Sequence, residues 1–366
     1  MTGSNAFSDR DRAFMRRALF IAERGRGRTS PNPIVGAVIV SRDGVVVGQG
    51  AHVKAGLAHA EINALADAAA AAEGATLYCT LEPCVHRGRT PACAPQVAAA
   101  GIARVVIATT DPNPRVAGAG IQLLRAHGIT VDVGLLADDA ARANAPFLTW
   151  ITKNRPHVTI KIAHTIDGFV GAPGARVKLT SDAMDRLMHR QRAEVDAIAI
   201  GAGTLVADDP LLTPRGAFRE RPLMRVVFDW RLRCSGDRRL YGTLDIGPVL
   251  VFATAAATAA NPAAADDLRR RGVRVIAPPT RDLGAALREL AGMDVTSLLV
   301  EGGPALQDAF AEAGLVDRLQ TIVVPRGLGD GVRAPRLAGL ESALAQASIT
   351  HAGQDTLLEA DVYRTD

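Results

Sequence analysis

Apolar and polar positions follow two periods along this chain, dividing it into helix-like and strand-like stretches. Between residues 12 and 24, Phe14, Ala18, Leu19, Ile21 and Ala22 recur at helical spacing with arginines opposite. That helix is expected to end in Arg24-Gly25-Arg26-Gly27. Ser30-Pro31-Asn32-Pro33 reads as a rigid loop into a strand over 34–40, and Asp43-Gly44 turns the chain into a second strand over 45–49. A helix opens at His59, with Ile62, Leu65 and Ala66 on one face. Short β-rich runs over 76–80, 105–108 and 131–133 alternate with helices near 121–127 and 135–145. A hairpin followed by interleaved helices and strands predicts an α/β sandwich of roughly 145 residues.

Ala145-Pro146 through Lys153-Asn154-Arg155-Pro156 reads as a connection, which predicts domains at 1–148 and 157–366 and a linker at 149–156. Further strands are expected at 157–162, 197–201, 225–228, 249–252, 273–276 and 297–300. Thr165-Ile166-Asp167-Gly168 is a turn, and Ser181 is the N-cap of a helix carrying Met184, Leu187 and Met188. Strands alternating with helices again predict a mainly parallel sheet.

Length agrees with this division, since 366 residues suggest two or three domains. Apolar residues make up 48% of the chain but aromatics only 4%, so the cores are aliphatic. The formal charge of +4, without a basic run or interleaved aromatics, argues against a nucleic-acid partner. Four cysteines in so long a chain do not make a disulfide scaffold. Ser8-Asp9-Arg10-Asp11-Arg12 lacks a signal-peptide core, and no apolar run reaches the ~18 residues needed to span a membrane. The expectation is a cytoplasmic protein without a membrane partner.

The candidate chemistry lies between His59 and Cys93. His59, Cys84 and Cys93 offer one nitrogen and two sulfurs, which fill three tetrahedral positions of zinc and leave the fourth for water. Water on zinc loses a proton near neutral pH, and Glu61 is placed to take that proton and pass it to a leaving amine. His-x-Glu, then Pro-Cys and a second Cys, is the layout of zinc deaminases, with Cys-x-x-Cys here stretched to Cys-x8-Cys. Pro83-Cys84 begins either a loop or a helix, and at a helix start the exposed N–H groups would help hold Cys84 as a thiolate. Cys79 reads as a packing residue and Cys234 as a small buried or spare one. The spacer with His86, Arg87 and Arg89 reads either as a solvated loop or as a grip on a phosphate or polar ring. Asn32 is either part of a plain turn or a presented amide. Glu301-Gly302-Gly303-Pro304 after a strand is open to a turn or a phosphate-binding helix start.

Ser-Pro-Asn-Pro-x-Val-Gly-Ala at 30–37, His-Ala-Glu at 59–61, Thr-Leu-Glu-Pro-Cys-x-His-x-Gly-Arg-Thr-Pro-x-Cys at 80–93 and Asp-Pro-Asn-Pro at 111–114 resemble the bifunctional riboflavin-biosynthesis deaminase–reductase family. The resemblance implies a cytidine-deaminase-like α/β/α sandwich with one zinc ion, acting on a diaminopyrimidinone ribosyl phosphate. It implies substrate contacts at Asn32, His52, His86 and Arg89. It continues at Asp167-Gly168, Arg192-Ala193-Glu194, Thr204 to Pro210 and Leu212-Thr213-x-Arg215, and implies a dihydrofolate-reductase-like α/β domain. There Ala163, Lys178, Thr204, Asp208, Gly303, Pro304, Ala305 and Leu306 would contact NADPH. Lys161, Arg192, Leu212, Arg215 and Glu301 would hold the substrate, and hydride would go to C1′ of the opened sugar.

One stretch departs from that pattern. Arg176-Val177-Lys178-Leu179-Thr180 stands where the family reads Ser-x-Trp-Ile-Thr, which implies either a cationic grip on a ligand or a weakened reductase. Two other readings stay open, a zinc nucleobase deaminase with an inactive partner domain and a zinc-stabilised binding module. The resemblance also implies a homodimer or homotetramer, and no arginine in the sequence is assignable to the 2′-phosphate that separates NADPH from NADH.

Overall fold

A computed structural model describes residues 7–362 apart from 87, 89, 115, 173–176 and 235. Tertiary contacts divide the chain into two compact units, 1–154 and 155–366.

Unit 1 opens with α1 (Asp9–Ala22), three residues ahead of its expected start. Ser8 and Asp11 explain the shift, because the Ser8 hydroxyl accepts from the Asp11 N–H while the Asp11 carboxylate accepts from the Ser8 N–H. The hairpin β1 (Gly36–Val40) and β2 (Val46–Ala51) follows, then α2 (Ala60–Ala68) and β3 (Thr76–Leu81). After these come α3 (Cys93–Ala99), β4 (Arg104–Thr109), α4 (Ala119–Ala126), β5 (Thr130–Val133), α5 (Ala137–Ala143) and α6 (Ala145–Lys153). The sheet order is β2-β1-β3-β4-β5, with β1 antiparallel to both its neighbours and β3, β4 and β5 parallel.

Alternation along each strand sends side chains to two different cores. Ala37, Ile39, Leu77, Cys79, Val105 and Ile107 pack with the alanine-rich α2 and with α3 and α4. Val38, Val40, Tyr78, Val106 and Ala108 pack with α1 and α5. The result is the α/β/α sandwich expected from the sequence. Residues 149–153, within the expected linker, are the second half of α6, which ends where Asn154 takes φ +49. Pro146 at the first turn favours a helix there and does not break one.

Unit 2 begins with β6 (His157–Thr165) and β7 (Phe169–Gly171) around the 165–168 turn, then α7 (Asp182–Glu194) capped by Ser181. Next are β8 (Ala197–Gly201), α8 (Ala202–Asp208), β9 (Met224–Phe228), β10 (Val249–Phe252), α9 (Ala255–Ala260) and α10 (Pro262–Arg270). Then come β11 (Arg274–Ile276), α11 (Leu283–Ala291), β12 (Ser297–Gly302), α12 (Pro304–Glu312) and β13 (Arg318–Val324). The unit closes with β14 (Val332–Arg333), α13 (Glu341–Leu344), β15 (Ser348–Ala352) and β16 (Asp355–Asp361).

Its main sheet runs β11-β10-β9-β8-β12-β6-β13-β16-β15. The pairs from β11 to β13 are parallel, and β16 and β15 add an antiparallel edge that the sequence did not reveal. The missed β13 carries Gln320 and Thr321 in its buried face, and Gln320 donates to Glu359 on β16 at 2.7 Å, so its polar positions mask the strand period.

Candidate functional site

His59, Glu61 and the two cysteines are brought together by α2, the end of β3 and the start of α3. His59 is the N-cap residue of α2, and Glu61 lies buried in its first turn. The helix sits low over β2, for a Cβ added at Gly48 or Gly50 would meet the Ala64 or Ala60 carbonyl oxygen at 2.4 or 2.3 Å. Glycine at those two strand positions therefore sets the height of the helix that carries His59 and Glu61.

His59 Nδ1 lies 3.2 Å from Cys93 Sγ and 3.6 Å from Cys84 Sγ, and the three ligand atoms are all within 4.8 Å of one another. Among the described residues this trio offers one nitrogen and two sulfurs and leaves a tetrahedral position open. The other ring nitrogen, Nε2, faces Thr90 Oγ1 at 3.3 Å, a contact that fixes the imidazole plane. Thr90 was quoted in the motif, yet its part in orienting the ligand could not be read from spacing.

Of the loop or helix left open at Pro83-Cys84, the structure has the loop, and the helix starts at Cys93. Residues 82–85 are loop, and the Cys84 carbonyl accepts from both Cys93 N–H and Ala94 N–H at 3.0 Å. The eight-residue spacer explains the later start, since the chain must leave β3, cross the loop and only then begin α3. A hydrogen bond from Cys93, and then one from His59, bring the Cys84 thiol down to about 4. Cys93 donates to that thiolate and is pushed far up. One imidazole nitrogen and two sulfurs this close together are the donors zinc prefers, so the set fits zinc.

Burial raises the Glu61 carboxyl to about 7, and its Oε2 has no hydrogen-bond partner. His52 Nδ1 faces the Ala58 carbonyl at 3.2 Å and donates to it, which makes Nε2 the acceptor from Asn32 Nδ2 at 3.2 Å. Burial lowers the His52 pKa, and its ring stands edge-on to His59 with centroids 5.0 Å apart. Asn32 and His52 therefore adjoin the trio. His86 is half-buried on the spacer with Nδ1 unpartnered, and no hydrogen bond ties it to the trio. Arg89 lies outside the described residues.

Glu82 is the residue that spacing missed here. Its carboxylate accepts four backbone N–H groups, from Asp111 at 3.2 Å, Gly118 at 3.0 Å, Gly120 at 2.9 Å and Ile121 at 3.2 Å. It fastens the chain two residues before Cys84 to the loop that enters α4. A Cβ at Gly120 would meet the Pro83 carbonyl at 2.1 Å, so that contact requires glycine.

In unit 2 the residues expected to hold NADPH and substrate all line one cleft of about 1440 Å³. They lie largely where parallel strands end or just beyond, the usual ligand position in such sheets. The volume exceeds the ~300–1000 Å³ of an ordinary ligand pocket and leaves room for two ligands. Gly303 caps α12 at φ +76, and a Cβ there would meet Thr204 Oγ1 at 3.0 Å, so backbone and Thr204 border the same narrow passage.

Arg192 Nε and Nη2 fork onto Glu301 at 2.7 and 2.5 Å, Lys161 Nζ stands 3.6 Å from Glu301 Oε2, and Arg192 Nη1 donates to the Thr213 carbonyl at 3.3 Å. Burial alone would raise the Glu301 pKa, but Arg192 and Lys161 outweigh it and bring the carboxyl to about 2. Arg192 is thus already paired, and of the two arginines expected on a phosphate Arg215 is the one without a hydrogen bond or ion pair to another described side chain. His189 joins them as a half-buried residue not singled out from sequence, its pKa lowered by burial and by Arg192 and Arg215. Arg176 lies outside the described residues, whereas Lys178 pairs with Asp182 and with Asp185, the latter at 3.4 Å.

The cytidine and deoxycytidylate deaminase zinc-binding region matches residues 8–109, and the RibD C-terminal domain matches residues 156–358. The RibD riboflavin-biosynthesis protein of Aquifex aeolicus is 39% identical over 323 residues, covering 88% of this chain and 89% of its own. That of Escherichia coli is 37% identical over 95% of this chain and 98% of its own. The solved RibD structure from Acinetobacter baumannii superposes with a TM-score of 0.84 at 33% identity, over 97% of this chain and 99% of its own. The Thermotoga maritima deaminase–reductase gives 0.82 at 31% identity, over 97% and 99%. A matched reductase domain with its cleft lining assembled removes the alternative of a deaminase beside a weakened partner. Together with the His59, Cys84 and Cys93 trio, these likenesses identify the chain as a member of the RibD family of bifunctional riboflavin-biosynthesis deaminase–reductases, which use zinc and NADPH.

Proposed function

We propose that His59, Cys84 and Cys93 hold the zinc ion of the deaminase and that Glu61 moves the proton during hydrolytic removal of the pyrimidine amine. The observation that carries this assignment is the buried, unpartnered Glu61 Oε2 beside a converging His/Cys/Cys trio. Bound zinc supplies a Lewis acid that makes water nucleophilic at neutral pH. Glu61 Oε2 takes a proton from the attacking water and returns it to the leaving amine. Asn32, positioned by His52, meets the polar edge of the base, and the resemblance assigns His86 and Arg89 to the substrate as well.

In the reductase, the N-terminus of α12 at Gly303, Pro304, Ala305 and Leu306 receives the cofactor pyrophosphate, with Ala163, Lys178, Thr204 and Asp208 beside it. NADPH supplies the hydride that reduces C1′ of the opened ribosyl chain. Arg215 pairs with the substrate phosphate, while Lys161, Arg192, Leu212 and Glu301 form the wall that orients the sugar. Domains at 1–148 and 157–366, a phosphorylated pyrimidine rather than nucleic acid as partner, and a cytoplasmic homodimer or homotetramer belong to the same proposal.

The test is a sequential assay on one preparation. Protein with one zinc per chain is expected to release ammonia from 2,5-diamino-6-ribosylamino-4(3H)-pyrimidinone 5′-phosphate and then oxidise NADPH. Absence of ammonia with that substrate would overturn the proposal.

A further inference from the structure

We propose that Arg219 is a positioning residue of the reductase, which clasps the loop carrying Arg215 onto the carboxyl end of α7 and so sets the grip on the phosphorylated substrate. This role rests on the proposed pairing of Arg215 with the substrate phosphate.

Residues 213–222 lie between α8 and β9 and carry Arg215. Leu212 and Leu223 flank them and are buried in one apolar cluster, whereas no residue from 213 to 222 is buried. The turns inside the loop are local, with Arg215 N–H donating to the Thr213 carbonyl at 3.0 Å and Ala217 N–H to the Pro214 carbonyl at 3.2 Å. A loop without buried side chains lacks the packing that would hold a guanidinium in one place. Polar ties to a rigid neighbour can supply that restraint.

Such ties run to α7 in both directions. Arg219 Nη1 donates to the carbonyls of Arg192 at 3.3 Å, Ala193 at 2.8 Å and Val195 at 2.5 Å. Its Nη2 donates to the Pro222 carbonyl at 3.3 Å, and its Nε is buried without a partner. Arg192 Nη1 donates in return to the Thr213 carbonyl at 3.3 Å. The loop is therefore fastened near both its ends to the turn that carries Arg192. Val195 is the C-cap of α7, so the carbonyls gripped by Arg219 belong to a helix end, where acceptors lack helical partners and a cation is favoured. Arg221 pairs with Asp196 at 2.8 Å, and Asp196 in turn accepts from the Thr296 N–H and hydroxyl. That pair secures the entry to β9 but lies beyond Arg219, outside the arch from 213 to 219.

The fixed side of the clasp is α7. Ser181 caps it, Met184 and Met188 are buried beneath it, and Arg192 forks onto Glu301. Loss of Arg219 thus frees the loop and not the helix. Thr213 stays tied through Arg192, while Arg215 loses the anchor on its other side. The consequence falls on the phosphate that Arg215 meets, and not on the cofactor or on the zinc ligands of unit 1.

The test uses the zinc-loaded full-length chain, NADPH, and either 5-amino-6-(5-phosphoribosylamino)uracil or the same compound without its phosphate. Arg219→Met keeps much of the side-chain length and removes every donor. It is expected to raise KM for the phosphorylated compound about tenfold. KM for NADPH, kcat, and ammonia release from the diamino substrate should stay within about twofold of the parent. Preference for the phosphorylated over the unphosphorylated compound, measured as kcat/KM, should shrink about tenfold. Arg219→Lys, whose ammonium still offers three donors to the same carbonyls, should bring KM back to within about threefold of the parent. An unchanged KM in Arg219→Met, a rise shared by NADPH or by the unphosphorylated compound, a general loss of kcat, or a Lys variant no better than Met would each overturn the role. If the parent itself shows no preference for the phosphorylated compound, Arg215 does not meet the phosphate, and the role of Arg219 falls with that pairing.

Discussion

Glu61 and Glu301 are both buried carboxylates, yet their surroundings push them in opposite directions. Burial leaves Glu61 with an unpartnered oxygen and a pKa near 7, while Arg192 and Lys161 hold Glu301 down near 2. A carboxyl poised near neutrality is suited to carrying a proton, and one locked in an ion pair is suited to shaping a wall. Burial alone therefore does not distinguish a catalytic carboxylate from a structural one. The neighbouring charges do.

The largest effect is expected at Glu61. Glu61→Gln should retain about one zinc per chain by metal analysis, because Glu61 is no member of the ligand trio, yet lose about 10²- to 10⁴-fold in ammonia release. Loss of zinc together with activity would make Glu61 a structural residue and erase the contrast.

Glu301→Gln should act on stability first. Removing one partner of a buried ion pair leaves Arg192 and Lys161 uncompensated, at a cost of about 3–5 kcal/mol in denaturant unfolding of unit 2. The pH dependence has a definite sign. The folded-state pKa lies below the ordinary 4.5, so the stabilisation is complete above that value and is lost as pH falls from about 4.5 towards 2. The loss amounts to about 3 kcal/mol at most and should be missing from the Gln variant. An unchanged acid limb in that variant would remove Glu301 as its source.

Smaller effects separate the ligand trio from its supports. Glu82→Gln turns amide N–H groups towards backbone donors, and should destabilise unit 1 by about 3 kcal/mol and weaken zinc retention against a chelator. Thr90→Val removes the partner of His59 Nε2 and should weaken zinc affinity by about tenfold with the fold unchanged by circular dichroism. Equal zinc affinity in both variants and the parent would show that the trio needs neither support.

The two sites also differ in how far the sequence disclosed them. His59, Glu61, Cys84 and Cys93 fall within 35 consecutive residues, and metal chemistry restricts which residue types can sit together, so the trio was readable from spacing. Glu82 was not, because its partners lie 29 to 39 residues further on in a loop whose shape no periodicity encodes. The reductase cleft gathers residues from strands β6, β8, β9 and β12 and from helices α7, α8 and α12, and apart from the glycine pair before α12 only resemblance pointed to its residues. His189 and Arg281 carry no motif and emerge only when the chain is folded. Strand and helix positions were largely legible where apolar runs were clean, and failed at β13, β15 and β16, where buried Gln320 and exposed Ile349 break the pattern.

The most direct test of two chemistries on one chain is NADPH oxidation by Glu61→Gln protein supplied with the deaminated intermediate, 5-amino-6-(5-phosphoribosylamino)uracil. The predicted result is a rate equal to that of the parent, although the same protein releases ammonia from the diamino substrate about 10²- to 10⁴-fold more slowly. Loss of NADPH oxidation alongside deamination would contradict the account.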